Sequence, residues 1–157
     1  MDVFWNYPLV AAFLAVILTQ LLKFPLNYLI NRRIEPMIIF SNGGMPSSHS
    51  SFTAALTTAL GIQYGLDSPH FAIALVFTLI TMWDATGIRY QASKHAQLLN
   101  VMMEDFKLLI EQIKYRASSP KEFLESPLKE ILGHKPLEVV IGMIFGIIVA
   151  FFVALFY

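Results

Sequence analysis

Long uncharged stretches alternate with short polar ones along this chain of 157 residues. Residues 3–22, 50–66, 71–83 and 139–157 contain no Asp, Glu, Lys, Arg or His. The first and last are long enough as helices to cross a hydrocarbon core, which takes about 20 residues. The middle two are shorter and need polar ends or protein neighbours to span. The pattern predicts an all-α, polytopic membrane bundle in one domain, 1–157, with four spans near 9–31, 50–65, 71–88 and 137–156.

Local signals mark the ends of these spans. Trp5 and Tyr7 suit an interfacial belt, and Pro8 suits the first turn of a helix. Pro25 predicts a kink late in the first helix, which Arg32 and Arg33 close. Met37–Phe40 is a short apolar run, read as a half-buried re-entrant arm leading into a glycine turn. In the second span Ala54, Ala55, Ala59 and Gly61 make a small-residue face, which lets membrane helices approach closely. Gly65 to Pro69 reads as a tight turn. The period then changes. Leu98, Leu99, Met102, Met103, Phe106, Leu109, Ile110 and Ile113 fall at helical spacing, with Glu104, Asp105, Lys107, Glu111 and Lys114 on the other face. This predicts an amphipathic helix over 90–116, lying on the membrane or packed over a site, within an insertion of about 90–133. Ser118-Ser119-Pro120 starts a further polar segment, and Pro127 opens another helical turn.

Composition supports the membrane reading. Hydrophobic residues are 56% and charged ones 14%, against about 25% charged in soluble domains. Net charge is zero, and no basic tract is flanked by stacking aromatics, which argues against nucleic acid as a partner. The absence of cysteine excludes a disulfide framework and thiolate catalysis. The first segment lacks a basic leader and is read as a retained span, not a signal peptide. Of eleven Lys and Arg, ten lie in Arg32–Arg33 and Arg89–Lys135, and the eleventh is Lys23. The positive-inside rule therefore predicts both basic loops in the cytoplasm and both termini outside, and the expected location is the plasma membrane. That orientation brings Lys23, the glycine turn, Asp84–Arg89 and His134–Glu138 to one cytoplasmic membrane face.

These four motifs carry the chemistry. Gly43-Gly44-Met45-Pro46-Ser47-Ser48-His49-Ser50 breaks one helix and opens another. Free backbone amides near Gly44, the hydroxyls of Ser47 and Ser48 and a helix N-terminus describe an anion or phosphate site. Each group also has a bland reading. Ser47 or Ser48 can be a simple N-cap, Lys23 can snorkel to the interface, Arg89 can bind headgroups, and Glu138 can answer a helix dipole. Asp84, after thirteen uncharged residues, calls for a cationic partner such as Arg89 or Lys23. Their convergence at one depth favours a site. Two cations, a nest of amides, two histidines and a carboxylate meet the needs of phosphoryl transfer, in which charge neutralisation and positioning dominate. One imidazole can attack phosphorus while the other protonates the leaving oxygen, and a carboxylate bonded to the nucleophile would fix its tautomer. No metal-ligand spacing appears, and the chemistry calls for no cofactor.

At these residues the chain resembles the type-2 phosphatidic acid phosphatase and vanadium haloperoxidase superfamily, in its divergent branch of small membrane proteins. Pro46-Ser47-Ser48-His49 is similar to that superfamily's Pro-Ser-Gly-His, with Ser for Gly. His134-Lys-Pro-Leu-Glu138-Val-Val-Ile-Gly142 is similar to its His-x-Pro-x-Asp-Val-x-x-Gly, with Glu for Asp. The resemblance implies His49 as general acid, His134 as nucleophile, Glu138 as its orienting carboxylate, and Lys23 and Arg89 as phosphate-holding cations. Arg89 and His134 stand 45 positions apart where the superfamily has six, so the motif is split by the insertion. His95 lies six after Arg89 and is the alternative nucleophile. It lacks a carboxylate four residues on and has no span behind it. Whether Arg32 or Arg33 joins the site stays open. The reading that follows is a lipid phosphatase acting through phosphohistidine on a lipid such as phosphatidylglycerophosphate, phosphatidate or a polyprenyl phosphate. The alternatives are a non-catalytic lipid-phosphate binding or transport protein, or a structural partner in a membrane complex. Four spans are few for the superfamily's bundle, so a homodimer through the small-residue face is expected.

Overall fold

The computed structural model describes residues 6–32, 43–114 and 133–157, which form five helices. They are α1 (Tyr7–Asn31), α2 (Ser48–Tyr64), α3 (Pro69–Thr86), α4 (Ile88–Lys114) and α5 (Pro136–Ala154). Trp5, Arg33, the 37–40 arm and residues 115–132, with Ser118, Ser119, Pro120 and Pro127, lie outside the described residues. Local chemistry sets the starts. Asn6, Ser47 and Ser68 cap α1, α2 and α3 with side-chain oxygens, and a proline opens α1, α3 and α5. α1 continues as helix through Pro25 and ends at Arg32, whose left-handed φ of 51° closes the last turn.

Three helical stretches are long and apolar enough to cross a membrane: Tyr7–Leu29, Pro69–Glu111 and Pro136–Ala154. α2, expected as a fourth span, is not among them. At 17 residues it is shorter than α1, α3 and α5, and its composition suits its place in the bundle. It packs on α1, α3 and α5, and Ser48, Ser50, Ser51, Thr53, Ala54, Ala55, Thr57 and Ala59 are all buried. A helix enclosed by protein needs small side chains, not greasy ones.

The interior is thus made of small residues. Ala11, Ala15, Ala55, Ala59 and Ala150 cluster with Val149 and Val153, while Phe13, Ile17, Ile73, Ile80 and Ile148 face outward. Large apolar groups outside and small ones inside are what a lipid solvent favours. α5 approaches α2 through Gly142 and Gly146, where an added Cβ would strike the backbone oxygens of Ser47 and Ser51. The Thr19 and Ser51 hydroxyls, 2.8 Å apart, tie α1 to α2, and Thr57 and Thr78, also 2.8 Å apart, tie α2 to α3. At the end remote from the glycine turn, the Tyr7 hydroxyl donates to the Ala150 carbonyl at 2.9 Å. Of the small-residue face, Ala54, Ala55 and Ala59 are buried within this bundle and Gly61 is half-buried.

Among the described helices, α4 packs only on α3. It is amphipathic as expected, with Ser93 and Ala96 buried near its start and Leu98, Leu99, Met102, Phe106, Leu109 and Ile113 exposed.

Candidate active site

The ends of α1 and α3 and the starts of α2 and α5 meet at one end of the bundle. α1 brings an inward polar stripe, Thr19, Lys23 and Asn27, at a spacing of four residues, and all three are buried. Lys23 is fully buried rather than snorkelling, and its charge acts on Glu138, His49 and His134.

The glycine turn then delivers α2. Gly44 has a φ of +91°, a conformation open to glycine at no steric cost. Ser47 is the N-cap, its Oγ accepting from the Ser50 amide, and its own amide donates to the Glu138 carbonyl at 2.9 Å. The Ser48 and His49 amides keep no acceptor among the described residues, and the first turn of α2 contains no acidic residue. Two uncommitted amides at the positive end of a helix suit an anion. α5 starts at the same end.

His134 enters from the loop before α5. Its amide donates to the Ala85 carbonyl at 3.3 Å. Its neighbour Gly133 lies so close to the Arg89–Tyr90 backbone that a Cβ there would collide with it. The long insertion is therefore closed in space, and the split motif is reunited. The His134 ring centroid lies 6.0 Å from that of His49, edge to face at 74°. His134 is 2% exposed, whereas His49 opens to the outside. Burial, with the charges of Lys23, His49 and Arg89, pushes the His134 imidazole down to about 4. It is neutral at physiological pH, as a nucleophile must be.

Arg89 donates from Nε to Asp84 Oδ2, and both side chains are partly exposed at the rim. The Arg89 charge acts on both imidazoles. Glu138 departs from the expected geometry. Its carboxylate accepts from the Lys135 amide at 3.1 Å, capping its own helix, while both His134 ring nitrogens are buried with no hydrogen-bond partner among the described residues. Glu138 instead reaches the site through its carbonyl on Ser47 and its charge near Lys23. His95 stands exposed on α4 and enters none of these contacts. Arg32 is exposed at the end of α1, and no cluster of metal ligands occurs among the described residues.

Four residues at the site escaped the sequence reading: Thr19, Gln20, Asn27 and Gly133. Polar side chains spaced by four inside an otherwise apolar span were the available signal for Thr19 and Asn27. Nothing local distinguishes Gly133.

The Divergent PAP2 family matches residues 4–149, which holds the whole of this constellation. The chain belongs to that family. A relative in Bacillus subtilis (strain 168), described as the uncharacterized membrane protein YuiD, is 36% identical over 157 residues, covering 100% of this chain and 99% of the relative. No solved structure matches. The matched stretch contains both the Pro46–His49 turn and the His134–Glu138 start of α5, whose histidine rings lie side by side in the fold.

Proposed function

We propose that this protein is a lipid phosphatase that removes a phosphate group from a membrane lipid through a phosphohistidine intermediate. The observation that carries the reading is the pairing of His49 and His134, 6.0 Å apart, beside the buried Lys23 and within the field of Arg89. Neutral His134 attacks phosphorus, and His49 protonates the departing lipid oxygen. Water then attacks the phosphohistidine, with His49 taking its proton, and inorganic phosphate leaves. Lys23, Arg89 and the Ser48 and His49 amides carry the charge that builds on the phosphoryl oxygens. Glu138 is a positioning residue, holding Ser47 through its backbone and balancing Lys23. By the distribution of basic residues the site faces the cytoplasm.

The test is phosphate release by purified protein from phosphatidate, phosphatidylglycerophosphate and a polyprenyl phosphate, with and without vanadate. Release should be vanadate-sensitive, fall by about a thousandfold or more in His134→Ala, and persist in His95→Ala. Loss confined to His95→Ala would move the nucleophile. Lipid retained without any release would replace the phosphatase with a binding protein.

A further inference from the structure

Helices α1 and α3 flank α2 without packing on each other. The slot between them is a cavity of about 440 Å³ that has Ser48 and His49 in its wall and so opens on the candidate active site. Its lining is layered. Gln20 and Thr81 each lie three residues before a site residue, Lys23 and Asp84, which is about 4.5 Å of helix rise. Val16 and Phe77 lie one further turn away, joined by Phe52 of α2. From the site end inward the lining therefore runs from Ser48 and His49, through Gln20, Thr53 and Thr81, to the apolar Val16, Phe52 and Phe77.

The middle layer contains one unmet demand. The Thr81 hydroxyl donates to the Phe77 carbonyl at 2.8 Å, and the Thr53 hydroxyl to the His49 carbonyl at 3.1 Å. Gln20 Oε1 is buried with no partner among the described residues. An amide in that position is costly unless something arrives to bond it. Turned over about its last side-chain bond, the same amide offers N–H to an acceptor.

We infer that the α1–α3 slot seats the glycerol-ester region and upper chain of a glycerolipid, with Gln20 bonding an ester carbonyl and so setting specificity. The placement of that lipid's phosphate rests on the phosphatase reading. The ester carbonyls of a glycerolipid lie just below its phosphate, where the middle layer of the slot lies below the cations. A polyprenyl phosphate has only carbon and hydrogen there and leaves the amide unpaired, which a site built for a hydrogen bond penalises.

The test uses the full chain in detergent and measures retention by native mass spectrometry. The ligands are a diacyl phosphatidate, its dialkyl ether analogue of equal chain length, which differs only in lacking the carbonyls, and a polyprenyl phosphate. The wild type should hold the ester lipid about tenfold more tightly than either of the others, the worth of one buried hydrogen bond. Gln20→Leu should bring the three together, and Val16→Phe, which fills the slot, should weaken all of them. A wild type that does not discriminate, or a preference that survives in Gln20→Leu, overturns the assignment. Retention needs no turnover. Gln20-dependent retention without phosphate release would sink the phosphatase and keep the lipid seat, whereas release without such dependence would do the reverse.

Discussion

The titration of His134 follows from its surroundings. An imidazole ordinarily titrates near 6.5, but this one is pushed down to about 4 by burial and by Lys23, His49 and Arg89. Between those two values the unfolded chain binds a proton that the folded one refuses. Folding stability contributed by this group is therefore complete above pH ~6.5 and falls as pH drops toward about 4. Thermal unfolding in detergent should show a midpoint that declines through that window, with a shallower decline in His134→Asn. Equal slopes in both proteins would assign the acid sensitivity to other groups. Gly133 is a second sensitive position. A Cβ at Gly133 meets the Arg89–Tyr90 backbone, so Gly133→Ala must shift the loop that holds His134. A displacement of order 1 Å costs about a hundredfold in rate. Phosphate release should fall accordingly, with the helical circular dichroism unchanged; full activity would show that the loop has slack.

Among the elements, α2 and α5 are the pair on which the site is built. They start at the same end, and α5 lies against α2 at Gly142 and Gly146. Gly146→Ala forces its methyl into the Ser51 backbone, and overpacking of this kind costs about 1–3 kcal/mol. The expected result is a lowered unfolding midpoint in detergent, with Ile148→Val, on the outward face, nearly unchanged as a control. Similar small shifts in both would mean that the two helices can spread at no great cost. α4 differs in kind. Its buried positions lie near its start, and the rest of its apolar face is exposed. Its recurring hydrophobic residues serve a surface, whereas those of α5 serve a span.

For the molecule as a whole, inside-out packing and three apolar helical stretches define a membrane protein, and the basic loops define its expected orientation. Because the chain has no cysteine, single cysteines report on one position each. A cysteine at Asp67, in the α2–α3 turn, should react with an impermeant maleimide in intact cells. One at Lys94 on α4 should react only after permeabilisation. Labelling of both from one side would mean that α3 does not cross the bilayer.

Membrane class and the helical architecture were legible along the chain, because charge-free runs are local properties. Lys23, His49, Arg89 and His134 could be singled out for the same reason: an ionisable group beside an apolar span is expensive and needs a purpose. Three things were not local. That α2 is enclosed by protein rather than lipid depends on which helices surround it, and its serines and threonines make sense only there. The partner of Glu138 is its own helix start, a choice between two acceptable hydrogen bonds that spacing does not decide. The closure of the 45 positions that separate His134 from Arg89 rests on Gly133 fitting against the Arg89–Tyr90 backbone and on the His134 amide bonding the Ala85 carbonyl. Chain distance says nothing of that contact, because it forms only when α3 and α5 have both packed on α2.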